Sequence, residues 1–574
     1  MAKPILISYR DSRTRSITKE HIRRLSRELV PDNITPREPL IIEDARDLFA
    51  VFQPAPKTTI EHGSLCLGAL LKPVGEWWKP GDYVPDGSFS IIRRDDKTVE
   101  LVTDALASRN LWYALTEDMF IAASSIRAIV ACLRSYEPNR DAQAWMLSAG
   151  NIGWGNCWDK RIQFVPPNSR LELDRKLWKV TLHHTPTMMR PEQRPEAEFM
   201  EIMDHALRDT LARMDLDYEN WLLLLTGGYN SRHMLLMGMK DKNIRALCWG
   251  LKDAPVTPYS DAWVAKQLAE KYHVKYEFRS ADRAPDVPAE TVIRRFVENC
   301  EGRVDNFTGY LDGLLIYKEF YDEGVAGLIR GECAFGYYSA ASELVVRQLI
   351  ELLMFKDYGN LDGSWPDHFG EQNLPEYLRR RSDESLYMWR DRLYQDFTAP
   401  LRFGALNELK CWYAEIVNPI INREIVNVTE RLPDRLRTGR YLYNKVVARL
   451  DPAIPFAMDV TPAARKPDIL RTPDYVRAMT EALNNDHARG LLSDDLVKLL
   501  LDRMQIAVKG DLLAKRQLRN RIGRRIPKGL KVAIRKYLLP TSSRLPMDFN
   551  ILAFRALIVV HMDRVFHRDA QLLS

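Results

Sequence analysis

The chain lacks the features that would mark it as a membrane-spanning or zinc-binding protein. No stretch of its 574 residues approaches the roughly 20 consecutive apolar residues that span a bilayer. Its seven cysteines are widely spaced, and none forms the C-x-x-C pair typical of a zinc site or a redox dithiol. A formal net charge of +6 is too small to require an anionic partner. Because the first residues, MAKPILISYR, contain no long apolar run, we expect a cytoplasmic protein with reduced thiols.

What is present indicates a globular protein of two or three domains. Hydrophobic residues make up 46% of the chain and charged residues 28%, which is enough to build several cores. Up to about residue 190, short alternating strands predict an antiparallel-sheet domain. From 191 to 480, apolar strands alternate with helical patterns, which predicts a parallel sheet (α/β) followed by a helical part. Residues 481–574 form a predicted helical, basic extension.

The segment from Leu222 to Ser231 carries most of the functional signal. Its sequence, LLLLTGGYNS, indicates a buried strand, a Gly-Gly turn with one hydroxyl residue before it and another shortly after it, and the start of a helix. Such a turn presents backbone N–H groups, hydroxyls and the positive end of a helix to one small volume, which suits a phosphate or pyrophosphate. An ordinary strand-to-helix turn has the same pattern, so the loop alone leaves both interpretations open.

This loop resembles the S-G-G-x-D-S pyrophosphate loop of the ATP pyrophosphatase fold, with Thr226 at the first serine and Asn230 at the aspartate. Further segments resemble the asparagine-synthetase-like family in the same order. They are its D-G-x-F-A strand at 85–90, its D-R-x-G-x-x-P-L-Y-Y segment at 104–113, its F-A-S-E-I-K segment at 120–126, its second strand at 246–250, its D-E-x-x-A helix from 260 and its R-x-P-F-L-D-R turn at 417–423. Together these matches cover roughly residues 60 to 470.

The resemblance implies an amide-forming synthetase. Residues 1–190 would form an antiparallel β-sandwich with helices (α+β), as a degenerate class II glutamine amidotransferase-like domain of the Ntn-hydrolase type. Residues 191–480 would form an ATP-binding domain of the ATP pyrophosphatase (adenine nucleotide α hydrolase-like) type. ATP and Mg²⁺ would be the cofactors. A small-molecule or peptide carboxylate would be adenylated and then captured by ammonia or another amine. The residues implied to bind the nucleotide are Leu225, Thr226, Gly227, Gly228, Asn230, Ser231 and Trp249.

Two departures from the family pattern limit these implications. Family members that hydrolyse glutamine begin with a catalytic cysteine, whereas the second residue here is Ala2 and the first cysteine is Cys66. We therefore expect an amino-terminal domain without glutaminase activity. In the synthetase site, Asn230 retains an oxygen but lacks the charge of the aspartate that binds magnesium in the family.

The second predicted magnesium ligand and catalytic residue is Glu332, in the segment IRGECAFGY. It either replaces the family's metal-binding aspartate or corresponds to the acidic residue beside it, and a surface or helix-cap carboxylate is the structural alternative. Arg330 could offset phosphate charge directly. The family's lysine, whose cation stabilises charge in the amide-forming step, is predicted at Lys466, with Lys445 as the competitor.

We therefore expect an ATP-dependent, AMP- and pyrophosphate-forming synthetase. The alternative is a noncatalytic family member that binds a nucleotide or a partner protein after losing key metal ligands. A further signal lies at 515–536, where ten basic residues and no acidic one occur. This segment could contact an anionic partner such as RNA or a membrane surface, although a solvated helical face is more typical of such runs.

Overall fold

The computed structural model describes residues 3–54, 59–282, 285, 287–332, 339–458, 466–507 and 544–573, without the side chains of 466 and 467. Its strands are β1 (Lys3–Tyr9), β2 (Leu40–Glu43), β3 (Asp47–Phe52), β4 (Thr59–Glu61), β5 (Ser64–Leu70), β6 (Gly87–Arg94), β7 (Thr98–Thr103), β8 (Trp112–Leu115), β9 (Met119–Ala123), β10 (Gln163–Phe164), β11 (Ser169–Asp174), β12 (Lys179–His184), β13 (Trp221–Leu224), β14 (Arg245–Gly250), β15 (Lys275–Ser280), β16 (Gly327–Ile329) and β17 (Glu415–Val417).

Helices separate and follow these strands, with short 3-10 turns between them. They are α1 (Lys19–Leu29), α2 (Ile126–Leu133), α3 (Arg140–Ala149), α4 (Glu196–Arg213), α5 (Tyr229–Met234), α6 (Asp261–Lys271), α7 (Ala289–Asn299), α8 (Leu315–Asp322), α9 (Glu343–Ile350), α10 (Leu386–Leu393), α11 (Gly404–Lys410), α12 (Arg423–Arg431), α13 (Asp434–Arg437), α14 (Tyr441–Ala448), α15 (Lys466–Ile469), α16 (Pro473–Leu483), α17 (Asp486–Leu492), α18 (Asp494–Arg503) and α19 (Phe549–Asp569). Two π-helical segments, Leu235–Met239 and Tyr394–Phe403, continue α5 and α10.

Two antiparallel sheets make up the amino-terminal region, in the orders β10-β8-β9-β1-β3-β2 and β12-β11-β7-β6-β5-β4. Their facing sides share one core, to which Leu6 of β1 and Leu67 of β5 belong. Because successive residues of a strand point to opposite faces, Ile5 and Ile7 pack instead in the core that includes Leu25 of α1. The predicted antiparallel sandwich with helices is therefore confirmed, while its Ntn-hydrolase type stays a prediction.

A five-stranded parallel sheet follows, in the order β15-β14-β13-β16-β17. The central strand β13 is apolar on both faces, since Leu222 and Leu224 pack on one side and Leu223 packs on the other. The predicted parallel α/β sheet and the mainly helical part after it are confirmed. In such sheets, ligands bind at the edge formed by the carboxyl ends of the strands. The loop after β13 lies at that edge.

The terminal helix α19 packs against α2 and α3 of the amino-terminal region and against α16 to α18. Arg127 of α2 forms an ion pair with Asp569 at 2.6 Å, and Arg555 forms one with Asp305 at 2.8 Å. The core that α19 completes thus extends across the predicted boundary near 190. The domain boundaries themselves stay predictions, and the basic segment 515–536 lies outside the described residues.

Two simpler expectations concern membranes and thiols. Of the helices in the described ranges, none is long and apolar enough to cross a membrane. The six described cysteines are buried and form no disulfide, as expected for structural thiols. Cys66 lies inside β5, where it pairs with Thr59 and Ile91 of the flanking strands, and burial raises the pKa of its thiol. Cys333 lies outside the described residues.

Candidate functional site

A cavity of about 770 Å³ opens at the carboxyl edge of the parallel sheet, where β13, β14 and β16 end. It brings together most of the residues predicted from the sequence, namely Thr226, Gly228, Asn230, Ser231, Trp249 and Glu332. Gly227 and Leu225 are absent from its described lining. Leu225 is fully buried in the core below the loop, which matches core packing as the alternative for this residue.

The turn after β13 is held by hydrogen bonds within itself. Ser231 Oγ accepts from the N–H of Thr226 at 2.9 Å and lies 3.2 Å from Thr226 Oγ1. The N–H of Gly228 donates to Thr226 Oγ1 at 3.3 Å, and the N–H of Gly227 donates to Asp261 Oδ1 at 3.1 Å. Three N–H groups of the turn therefore already have acceptors. The N–H groups in the first turn of α5, which no side chain caps, are those left for an anion.

The two glycines of the turn have different reasons to be there. A Cβ at Gly227 would lie 2.5 Å from the Cβ of Ala457 and 2.8 Å from that of Val264, so only glycine fits this close contact. At Gly228 the backbone φ is −84°, and a Cβ would meet only Thr226 Oγ1, at 3.3 Å. Close packing thus explains why residue 227 is a glycine. At Gly228, which lines the cavity, the backbone would accept a small side chain.

Asn230 joins the loop after β13 to the loop after β16. Its side-chain Nδ2 donates a hydrogen bond to the carbonyl of Gly331. A Cβ at Gly331 would lie 2.7 Å from the Cβ of Asn230, which shows how close the two loops are. An aspartate in this position could not donate to a carbonyl. The amide of Asn230 therefore has a structural role here.

Arg330 and Glu332 form an ion pair in the cavity wall, with Arg330 Nη2 at 2.8 Å from Glu332 Oε1. The backbone holds this segment in place, because the N–H of Arg330 donates to the carbonyl of Val417 at 2.9 Å. Arg330 Nη1 and Glu332 Oε2 are buried and have no hydrogen-bond partner within the described part of the chain. Burial acts to lower the pKa of Arg330, but Glu332, Tyr317 and Tyr310 together raise the pKa above its usual value.

An apolar wall faces the charged one. Trp249, at the end of β14, lies with its ring 6.2 Å from the rings of Tyr317 and Phe320, and Leu224 and Leu251 line the same side. One residue of the cavity wall was not singled out from the sequence. Arg440 lines the cavity and adopts a left-handed backbone (φ 59°), a conformation that a non-glycine residue tolerates only where the surrounding structure enforces it.

Of the two lysines that the sequence singled out, only Lys445 has a described side chain. Lys445 forms an ion pair with Glu196 at 2.6 Å, and both residues line a different groove beside α4. Lys466 begins α15, but its side chain lies outside the described residues. Lys410, at the end of α11, is 3% exposed, and burial followed by the charge of Arg330 lowers the pKa of its amine to about 7. No local motif distinguishes Lys410 in the sequence.

Comparisons with known proteins leave the family open. No protein-family model and no curated protein matches the chain. Among solved structures, it is similar to one described as the allosteric regulatory enzyme of purine biosynthesis, at 8% identity and a TM-score of 0.22, over 50% of this chain and 82% of that one. It is also similar to glutamine phosphoribosylpyrophosphate (PRPP) amidotransferase from B. subtilis complexed with ADP and GMP, at 9% identity and a TM-score of 0.19, over 48% and 65%. Scores this low support no conclusion about fold or function.

Proposed function

We propose that the protein is an ATP-dependent synthetase that adenylates a carboxylate and transfers the acyl group to an amine. The observation that carries the proposal is the convergence, in one cavity, of the Thr226–Ser231 loop, the wall around Trp249 and the Arg330–Glu332 pair. The cavity lies at the sheet edge where parallel α/β folds bind ligands, and its size is in the range of nucleotide and cofactor pockets.

The two walls suit the two ends of a nucleotide. The apolar wall around Trp249 would hold the adenine, because an aromatic ring and leucines offer a flat, dry surface to a base. The pyrophosphate would then lie at the first turn of α5, whose uncapped N–H groups and positive helix end attract an anion.

The proposed reaction has two steps. An oxygen of the substrate carboxylate attacks the α-phosphorus of ATP, and the bond to the bridging oxygen breaks, which releases pyrophosphate and leaves an acyl-adenylate. The nitrogen of ammonia or another amine then attacks the acyl carbon, AMP leaves with the bonding electron pair, and the nitrogen loses a proton. Glu332 is the proposed acceptor of that proton, and Lys466 remains the proposed cation for the second step.

Pyrophosphate release tests this proposal. The purified chain is incubated with ATP and a panel of carboxylates, each with ammonium, with glutamine or with neither, in the presence and absence of Mg²⁺. We expect release with a suitable carboxylate, and amide formation with ammonium or an amine but not with glutamine, since Ala2 and Cys66 offer no amino-terminal thiol.

Gly228 provides a matched pair of variants. Because its φ is −84° and a Cβ there meets only Thr226 Oγ1, both Gly228→Ala and Gly228→Asp should fold. Gly228→Asp places a negative charge where the pyrophosphate would lie and should abolish release, whereas Gly228→Ala should retain part of it. Equal rates in the two variants would contradict the placement of the phosphates.

A noncatalytic nucleotide-binding protein is the second candidate. It is favoured by the turn itself, in which the N–H groups of Thr226, Gly227 and Gly228 already have internal acceptors. This candidate predicts that ATP binds, that Gly228→Asp weakens the binding, and that no carboxylate in the panel leads to pyrophosphate release.

A further inference from the structure

Magnesium is the cation that the sequence resemblance implies for this cavity, and its two predicted ligands are Asn230 and Glu332. Asn230 is a neutral amide whose nitrogen is engaged by the carbonyl of Gly331. Glu332 is a carboxylate whose charge is balanced by Arg330 at 2.8 Å. Together, the three side chains at this point carry no net negative charge. A small dication needs hard anionic oxygens, so this donor set does not fit Mg²⁺.

The other carboxylates of the cavity wall are engaged by backbone N–H groups. Asp261 accepts from Gly227 at 3.1 Å, and Asp282 accepts from Lys252 at 3.2 Å. Asp312 accepts from two N–H groups at the start of α8. In the parts of the chain that the structure describes, no three His, Cys, Asp or Glu side chains are grouped as metal ligands would be.

Arg330 places a permanent positive charge at the same point. It is the first residue after β16, and its neighbour Gly331 is in contact with Asn230 in the first turn of α5. One guanidinium nitrogen binds Glu332, and the Arg330 side chain, 24% exposed, lines the cavity. A guanidinium has five N–H donors, so an oxyanion in the cavity can accept from it while the pair with Glu332 stays intact.

We propose that Arg330 replaces the divalent cation of this site, so that the phosphates of a nucleotide, or pyrophosphate, bind against its guanidinium without a metal. The proposal rests on the proposed function for the identity of the ligand. Arg330 supplies the positive charge of this anion site. Glu332 holds its guanidinium, and the hydrogen bond from the Arg330 N–H to Val417 holds the backbone. Besides its proposed role as proton acceptor, Glu332 thus positions Arg330.

Binding, rather than activity, tests this directly. Titration calorimetry of the full chain with ATP and with inorganic pyrophosphate is carried out in EDTA and again with Mg²⁺. We expect dissociation constants in EDTA that stay within about threefold of those with Mg²⁺, since the guanidinium needs no added cation. Arg330→Met, which keeps the length of the side chain but removes its charge, should weaken binding in EDTA by about tenfold or more.

Two further variants keep the result interpretable. Arg330→Met leaves Glu332 buried and unpaired, so the double variant Arg330→Met with Glu332→Gln removes both charges in case the single variant does not fold. Arg477→Met is the matched control, because Arg477 forms an exposed ion pair with Asp474. The control should bind as the wild type does, and thermal melting verifies the fold of each variant.

The possible outcomes separate the two proposals. Binding of ATP or pyrophosphate that requires Mg²⁺ would overturn the role of Arg330 while leaving the proposed function in place. Binding in EDTA that the Arg330 variants do not weaken would overturn it as well. Absence of any binding, with or without Mg²⁺, would overturn the proposed function itself. Metal-independent binding that is lost in the single or the double variant supports the role of Arg330 and the nucleotide site that the proposed function requires.

Discussion

Two groups of paired cations and carboxylates in the molecule differ in how completely their atoms are partnered. Where the amino-terminal sandwich meets α11, Glu408 binds both Lys3 and Arg109, and Arg109 also binds Glu415. Two cations and two carboxylates thus neutralise each other, and every one of these side chains is at most 8% exposed. In the cavity, the Arg330–Glu332 pair leaves a nitrogen and an oxygen without described partners.

This difference separates a structural ion network from a binding site. A buried network in which each charge has its partners fixes one arrangement of the chain, and the loss of one member leaves an uncompensated charge. A pair with unsatisfied atoms beside a cavity is able to bind a ligand without first breaking an existing contact. The following variants test the comparison, from the largest expected effect to the smallest.

Arg109→Met should be the most damaging change. It removes the cation that joins the buried carboxylates of Glu408 and Glu415. We expect the free energy of unfolding to fall by about 3–5 kcal/mol, which chemical denaturation followed by tryptophan fluorescence would measure. Arg477→Met, in an exposed pair, should cost at most about 1 kcal/mol. A fall of similar size in both variants would show that the ion network at α11 contributes no more to stability than an exposed ion pair does.

Lys410→Met should stabilise the protein near neutral pH. Lys410 is buried, and its pKa falls from 10.5 to about 7, first because of burial and then because of the charge of Arg330. One pKa unit corresponds to about 1.4 kcal/mol, so the shift sets an upper limit of about 5 kcal/mol. Allowing for relaxation around the amine, we expect a gain of about 1–3 kcal/mol at pH 7 from a methionine of similar volume.

The lowered pKa of Lys410 also determines how the stability gained in Lys410→Met changes with pH. Between pH 7 and about 10.5 the unfolded chain binds a proton at Lys410 that the folded chain does not, so stability rises with pH in this window. The difference between the variant and the wild type should therefore shrink toward pH 10 and stay constant below about pH 6. Denaturation midpoints of the two proteins at pH 6, 7, 8.5 and 9.5 measure it. A difference that does not change over this range would contradict a lowered pKa.

Asn230→Asp examines the amide that links the two loops of the cavity. The carboxylate cannot donate to the carbonyl of Gly331, and two acceptors would then face each other. We expect a loss of about 1–3 kcal/mol in the free energy of unfolding. The same change supplies the anionic oxygen found in the S-G-G-x-D-S loop that this turn resembles. Nucleotide binding should then depend on Mg²⁺, in contrast to the metal-independent binding proposed for the wild type. Unchanged stability would mean that the link to Gly331 is dispensable.

The sequence predicted the layers of the fold because periodicity encodes them. Alternation along β6 and β7 indicated an antiparallel sheet, and the continuous apolar run at Leu222–Leu225 indicated a buried parallel strand. The extent of the shared core was not predictable in this way. The packing of α19 on α2 joins residues more than 400 positions apart, and no local pattern specifies which surface a terminal helix covers.

Part of the site was predictable for the same reason. A Gly-Gly turn after a strand places Thr226, Gly228 and Ser231 at the sheet edge, and the structure brings them into one cavity with Glu332. The partners that these side chains contact come from distant parts of the sequence. That the Asn230 amide donates to a carbonyl depends on the distance to Gly331, and that Lys410 is buried near Arg330 depends on how α11 packs. Residue types alone do not contain those distances.

Lys445→Gln should have the smallest effect of all, and it distinguishes the two lysines that the sequence singled out. Lys445 pairs with Glu196 on the surface of α4, in a groove that shares no lining residue with the cavity among those described. Exposed pairs of this kind contribute little because water and salt screen them. We expect dissociation constants for ATP and rates of pyrophosphate release equal to those of the wild type, whereas Lys466→Gln should slow amide formation if its cation acts in the second step. A marked loss of activity in Lys445→Gln with intact folding would mean that the groove beside α4 takes part in the reaction. The Lys445–Glu196 pair would then be part of a binding site rather than a surface contact.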